Sequence, residues 1–121
     1  MIDHVGFEVS DLARSARFYD ALFAPLGGRR VFDGDAAIGY GVHEARLFIV
    51  ARGRRPGPTF GHVAISANGR PAVDAAYAAA IGAGGRGDGP PGPRHQYGPT
   101  YYAAYVLDPD GLRVEVVSGA H

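Results

Sequence analysis

Alternating apolar and polar positions mark short strands, and between them lie two stretches with helical spacing; the whole order occurs twice. Over residues 3–9, Val5, Phe7 and Val9 alternate with His4, Gly6 and Glu8, which predicts a strand buried on one face. Leu12, Ala16, Tyr19, Phe23 and Leu26 then recur along one helix face. Ser10 or Asp11 stands where a side-chain oxygen accepts from the free N–H groups of the first turn. Pro25 and the pair Gly27-Gly28 end the helix. Residues near 29–33, 37–42 and 46–51 read as three short strands, with a turn at Asp33-Gly34-Asp35.

The second half repeats this plan. Asp3-His4-Val5-Gly6-Phe7 resembles Gly61-His62-Val63-Ala64-Ile65, and the offset of 58 residues also carries Tyr19 to Tyr77 and Gly27 to Gly85. Residues 61–66 are a strand, Pro71 suits the first turn of a helix, and Val73, Ala76, Tyr77 and Ala80 form that helix's apolar face. Gly84 to Pro93 reads as a loop around at most a short strand. Residues near 100–107 and 112–117 form a hairpin across Asp108-Pro109-Asp110-Gly111. The expected organisation is one α+β domain: a βαβββ module over 1–52, a linker at 53–60, a second βαβββ module over 61–117 and a tail at 118–121. Arg52, Arg54 and Arg55 at the linker read as a solvated loop in preference to an anion site.

Composition narrows the partners. The 121 residues suit one core. Twelve basic residues, all Arg, balance twelve acidic ones, so no global field favours nucleic acid or an anionic membrane. The absence of Cys removes disulfides, thiolate ligands and a Cys nucleophile. There is no bilayer-length apolar stretch and no basic-then-apolar signal at the start. The expectation is a cytoplasmic protein with a small-molecule partner.

Strand alternation then makes a specific chemical argument. With Val5, Phe7 and Val9 under the helix, His4, Gly6 and Glu8 face the other way. By the same rule His62, Ala64 and Ser66 point away from the second helix, as do Arg113, Glu115 and Val117 on the last strand. Arg46, Phe48 and Val50 are the outward set on the strand near 46–51. If the two open faces meet, His4, His62 and Glu115 converge. Two neutral imidazoles and a carboxylate are a ligand set for Fe(II), Mn(II), Ni(II) or Zn(II) that leaves positions open for substrate. Glu8 shares the His4 face and reads as a rim or salt-bridge residue.

The segments IDHVGFEVSDLARSARFY, FGHVAIS and YVLDPDGLRVEVV resemble the glyoxalase/bleomycin resistance/extradiol dioxygenase superfamily, also called vicinal oxygen chelate, over essentially the whole chain. The resemblance implies paired βαβββ modules around a cleft and one divalent metal held by His4, His62 and Glu115. It also implies a homodimer. Glyoxalase I-like members carry a fourth ligand on the last strand of the first half; the best match here is Phe48, which cannot bind a metal. Extradiol dioxygenases use a Tyr ten residues before the last Glu, and Tyr105 has that spacing; His95 is one place off their upstream His.

Tyr97, Tyr101, Tyr102 and Tyr105 cluster before the hairpin. An even hairpin loop puts Tyr102 on the Glu115 face, and an odd loop or a bulge puts Tyr105 there. Either is a candidate acid or oxyanion donor; packing is the alternative role. Phe48, Arg46, Tyr97, Tyr101 and His95 are candidate substrate contacts, Arg94 and His95 having surface positions as the alternative. Two functions follow. One is a metal-dependent enzyme with lyase, isomerase or dioxygenase chemistry on a small oxygen-bearing substrate. The other is a metal-free protein that sequesters a small molecule such as an antibiotic. The presence of all three ligand candidates favours the enzyme.

Overall fold

The computed structural model describes residues 1–57 and 61–120. The end of the expected linker, residues 58–60, and His121 of the tail lie outside the described residues. The first four-stranded sheet contains β1 (Val5–Glu8), β2 (Arg29–Asp33), β3 (Ala37–Gly41) and β4 (Leu47–Val50), in the order β1-β4-β3-β2. The second contains β5 (His62–Ser66), β6 (Arg86–Pro93), β7 (Tyr102–Leu107) and β8 (Arg113–Ser118), in the order β5-β8-β7-β6. In each sheet the strand that opens the module pairs parallel with the strand that closes it, and the other pairs are antiparallel.

Helix α1 (Leu12–Phe23) starts where Asp11 accepts from the Arg14 N–H at 2.9 Å. A single 3₁₀ turn, Ala24–Leu26, follows it and ends at Gly27 with a φ of 78°, a left-handed conformation that glycine adopts without steric cost. Helix α2 (Arg70–Gly82) has Pro71 in its first turn. The helices bury different side chains. α1 contributes Phe18, Tyr19, Leu22 and Phe23, whereas α2 contributes Val73, Ala76 and Ala80. Small residues on α2 let α1 come close. Phe18 lies where a Cβ on Gly85 would stand 2.5 Å from its ring.

Each helix covers one face of its own sheet, and the two helices pack on each other. The helical layer therefore lies between the sheets, and the open sheet faces point outward. The expected loop over 84–93 is instead an eight-residue strand at the sheet edge. Pro90, Pro91 and Pro93 lack the N–H a central strand would need, but an edge strand tolerates that loss. Its register slips between Gly87 and Gly89 and again between Gly89 and Gly92. Among the described residues no helix is long and apolar enough to cross a membrane.

Candidate functional site in the second module

The hairpin loop decides which tyrosine joins Glu115. Leu107 pairs with Arg113, so five residues, 108–112, connect β7 to β8. Asp108 holds this odd loop closed. One of its carboxylate oxygens accepts from the N–H groups of Asp110 (2.9 Å) and Leu112 (2.8 Å), and the other accepts from the buried Tyr19 hydroxyl at 2.7 Å. Tyr105 is thereby set directly opposite Glu115, while Ala64 of β5 flanks Glu115 on its other side. Tyr102 falls on the helix face, where it donates to Asp74 at 2.7 Å beneath the Arg70 guanidinium. Tyr102 is thus removed from the site that alternation left open to it.

Glu115 is 2% exposed although it lies on the open face, because aromatic side chains enclose it. His62 Nε2 lies 2.9 Å from Glu115 Oε1, and Tyr101 donates its hydroxyl to Glu115 Oε2. The His62 ring meets Tyr105 edge-on at 5.7 Å. The Arg113 guanidinium stacks 3.8 Å over the Tyr105 ring and donates to Asp88 at 2.7 Å. Burial, then the bond to Glu115, pushes the Tyr101 phenol well above its ordinary range. Burial, then the nearby Glu115 charge, raises Tyr105 as well. Both phenols therefore stay protonated at neutral pH and act as donors. These side chains line a cavity of about 520 Å³, a size suited to a small molecule.

The other predicted residues sort clearly. Tyr97 stands on the cavity wall, edge-on to Tyr101 at 5.4 Å. His95 is exposed and does not line the cavity, but its neighbour Arg94 does. Gln96, Asp88 and Arg113 also line it without having been singled out as substrate contacts. Asp88 escapes the alternation because it lies on the bulged β6, which reads as a loop, whereas Arg113 is already in the outward set of β8. Arg46 is tied down at the start of β4, donating to the Asp3 carbonyl at 2.8 Å and to Glu44 at 2.5 Å. Phe48 lies on the open face of the first sheet with His4 edge-on to it at 5.3 Å. Glu8 forms the expected salt bridge, with Arg52.

His62 and Glu115 come together; His4 does not join them within one chain. Among the described residues no group of three His, Cys, Asp or Glu is placed to hold a metal ion. The cause is the helical layer, which turns the His4 face away from the Glu115 face. His4 is nevertheless arranged as an imidazole that can offer a lone pair. Its Nδ1 is 2.7 Å from Asp3 Oδ1, a carboxylate that only accepts, and its Nε2 is left for another partner. The bond from His4 holds Asp3 below the usual carboxylate range.

Comparison with known proteins agrees with this architecture. No curated protein matches the chain. Among solved structures, the chain is similar to a glyoxalase/bleomycin resistance protein from Albidiferax ferrireducens T118, at 30% identity over 97% of each chain with a TM-score of 0.84. It shares its fold with the fosfomycin resistance protein FosX from Mesorhizobium loti, at 20% identity over 99% of this chain and 92% of that one, TM-score 0.72. A mutant of glyoxalase I from Zea mays aligns at 26% identity over 95% of this chain and 44% of that one, TM-score 0.73. The model of the Glyoxalase/Bleomycin resistance protein/Dioxygenase superfamily matches residues 1–116, and the chain belongs to that superfamily.

Proposed function

We propose that the protein is a metal-dependent enzyme that acts on a small oxygen-bearing substrate in the second-module cavity, with lyase, isomerase or dioxygenase chemistry. The observation that carries this reading is the pairing of His62 Nε2 with Glu115 Oε1 at 2.9 Å beside an open cavity. Two ligands each about 2.1 Å from one ion and at right angles to each other lie roughly 3 Å apart, so this donor pair fits a divalent metal. Members of the superfamily commonly use such a metal. His4 is the third ligand and comes from a second copy. The first sheet's outward face, carrying His4, Phe48 and the half-exposed Phe32, is what a twofold partner would lay over the Glu115 face. β1 and β5 are both edge strands, which such a dimer would also cover.

Bound there, a divalent ion supplies Lewis acidity toward substrate oxygens. The chain's own residues do the rest. Tyr101 holds the Glu115 carboxylate in one orientation. Tyr105, kept protonated, donates toward an oxygen on which charge develops. Arg113, stacked on the Tyr105 ring, keeps it in place. The second reading, a metal-free binding protein, is favoured by one observation: both Glu115 oxygens already have partners in His62 and Tyr101.

Metal analysis and mixing of variants test the proposal. His62→Ala should lose a stoichiometric transition metal that the unaltered protein retains. His4→Ala and Glu115→Ala should each fail alone, and a mixture of the two should regain one intact site per mixed dimer. Tight small-molecule binding indifferent to chelator would favour the second reading, and failure of the mixture to regain metal would remove the cross-copy site.

A further inference from the structure

We infer that Arg94 anchors an oxyanionic group of the substrate, so that the cavity selects a small molecule carrying a carboxylate or a similar anion. This rests on the proposed function in so far as both concern the same cavity. The charges around the cavity are unevenly matched. Arg113 has Asp88 as its partner, and Glu115 has Tyr101 and His62. Arg94 forms no ion pair with any described carboxylate. Its guanidinium instead donates to two backbone carbonyls, Pro90 O at 2.9 Å and Pro93 O at 3.4 Å. Two carbonyls fix its plane but leave its positive charge uncompensated and further N–H donors unused.

The bulged strand β6 is shaped around this guanidinium. A Cβ on Gly92 would stand 3.1 Å from Arg94 Nη1. At Gly89, where φ is +152°, a Cβ would stand 3.1 Å from the Tyr105 ring and 3.6 Å from Arg94 Nη2. The two missing side chains therefore let Arg94 lie along the strand toward Tyr105, whose ring centre is 5.9 Å away. A half-buried arginine pre-oriented by carbonyls, without a counter-ion and beside a cavity, is arranged for charge-assisted bonds to an oxyanion. Tyr97 and Tyr101 supply the aromatic wall next to it.

Benzoate and benzamide, which share a shape but not a charge, are the probes. Amide chemical shifts of the full chain are followed while each is titrated, with Arg94→Gln as the test variant and Arg17→Gln, an exposed residue of α1, as the control. Benzoate should bind saturably and move the resonances of Gly89, Arg94 and Tyr105. Benzamide should bind at least about tenfold more weakly, and Arg94→Gln should weaken benzoate by about the same factor while leaving benzamide unchanged. Equal binding of the two probes, indifference to Arg94→Gln, or absence of saturable benzoate binding at these residues would each overturn the inference. A parallel nickel titration separates it from the metal site. Benzoate binding governed by Arg94 in a protein that takes up no nickel supports the anchor while removing the metal reading. Nickel uptake without an Arg94-dependent preference for benzoate does the reverse.

Discussion

The two open sheet faces have the same backbone registers and opposite chemistry. In the first sheet Gly6, Phe48 and Gly39 stand side by side; in the second the same three places hold Ala64, Glu115 and Tyr105. The positions around them agree: the first sheet has His4, Arg46 and Val50 where the second has His62, Arg113 and Val117. Where the second sheet carries a phenol, the first carries Gly39, and the Phe48 ring fills the space: a Cβ on Gly39 would stand 2.7 Å from it. The repeat thus preserves a scaffold, an imidazole and a guanidinium, while the buried carboxylate and the phenols beside it stand on one face only. On the proposed reading, the metal site is completed where the faces of two copies meet.

The largest predicted effect breaks this asymmetry at its centre. Glu115→Gln keeps the shape and an acceptor for Tyr101 but removes the charge, and should lower nickel affinity more than about 100-fold, beyond what loss of a merely supporting partner costs. Phe48→Leu at the matching position should leave that affinity within about twofold. Competition titration against a metal indicator reads both. Equal effects at the two positions would show that the faces are not chemically distinct.

The helices differ in the same spirit, and the next effect is on stability. Phe18 is fully buried on α1, so Phe18→Ala should cost about 3–5 kcal/mol. On α2 the buried set is small, so truncation has little to remove and enlargement is what hurts: Ala80→Leu should cost about 1–3 kcal/mol by overpacking against α1. Urea unfolding of both variants checks the contrast. If Ala80→Leu is neutral, the close helix approach is not a constraint.

Much of this was legible in the alternation of residues. The inward sets Val63/Ile65 and Val114/Val116 and the outward pair His62/Glu115 follow from period two alone, because a buried sheet face enforces it. What was hidden depended on backbone detail that side-chain pattern does not carry. The count of loop residues at 108–112 decided between Tyr102 and Tyr105, and it rests on the hydrogen bonds of one buried carboxylate. β6 escaped because Gly and Pro ordinarily signal loops, whereas at a sheet edge they make a bulged strand. Gly27 and Gly85, equivalent in sequence, do different work: the first turns the chain with a positive φ, and the second makes room for Phe18. The direction of the His4 face was set by helix–helix packing, which no strand pattern encodes.

The smallest predicted effect is on pH dependence, and it sets one carboxylate of each module against the other. Asp20 accepts two bonds from Arg30, each 2.8 Å, and one from Tyr40, and the Arg30 bonds hold it below the usual range. Its contribution to stability is present above the unfolded pKa and fades as pH falls through the folded one. Asp108 is the opposite. Burial raises it, against the pull of its bonds from Tyr19, Leu112 and Asp110. The folded protein therefore holds that proton more tightly than the unfolded chain. The resulting stabilisation is complete below the unfolded pKa of about 4 and is lost as pH rises through the folded value. Asp108→Asn keeps an acceptor for the two loop N–H groups while removing this titration. The stability advantage of the unaltered protein over Asp108→Asn should accordingly be larger at pH 4 than at pH 7. Asp20→Asn should show the reverse trend, more weakly because Asp20 is partly open to solvent and screened. Urea midpoints of the three proteins across that range decide it. Parallel curves for the unaltered protein and Asp108→Asn would mean that the carboxylate beneath Tyr19 titrates alike in the folded and unfolded chain. In that case its hydrogen bonds would offset its burial.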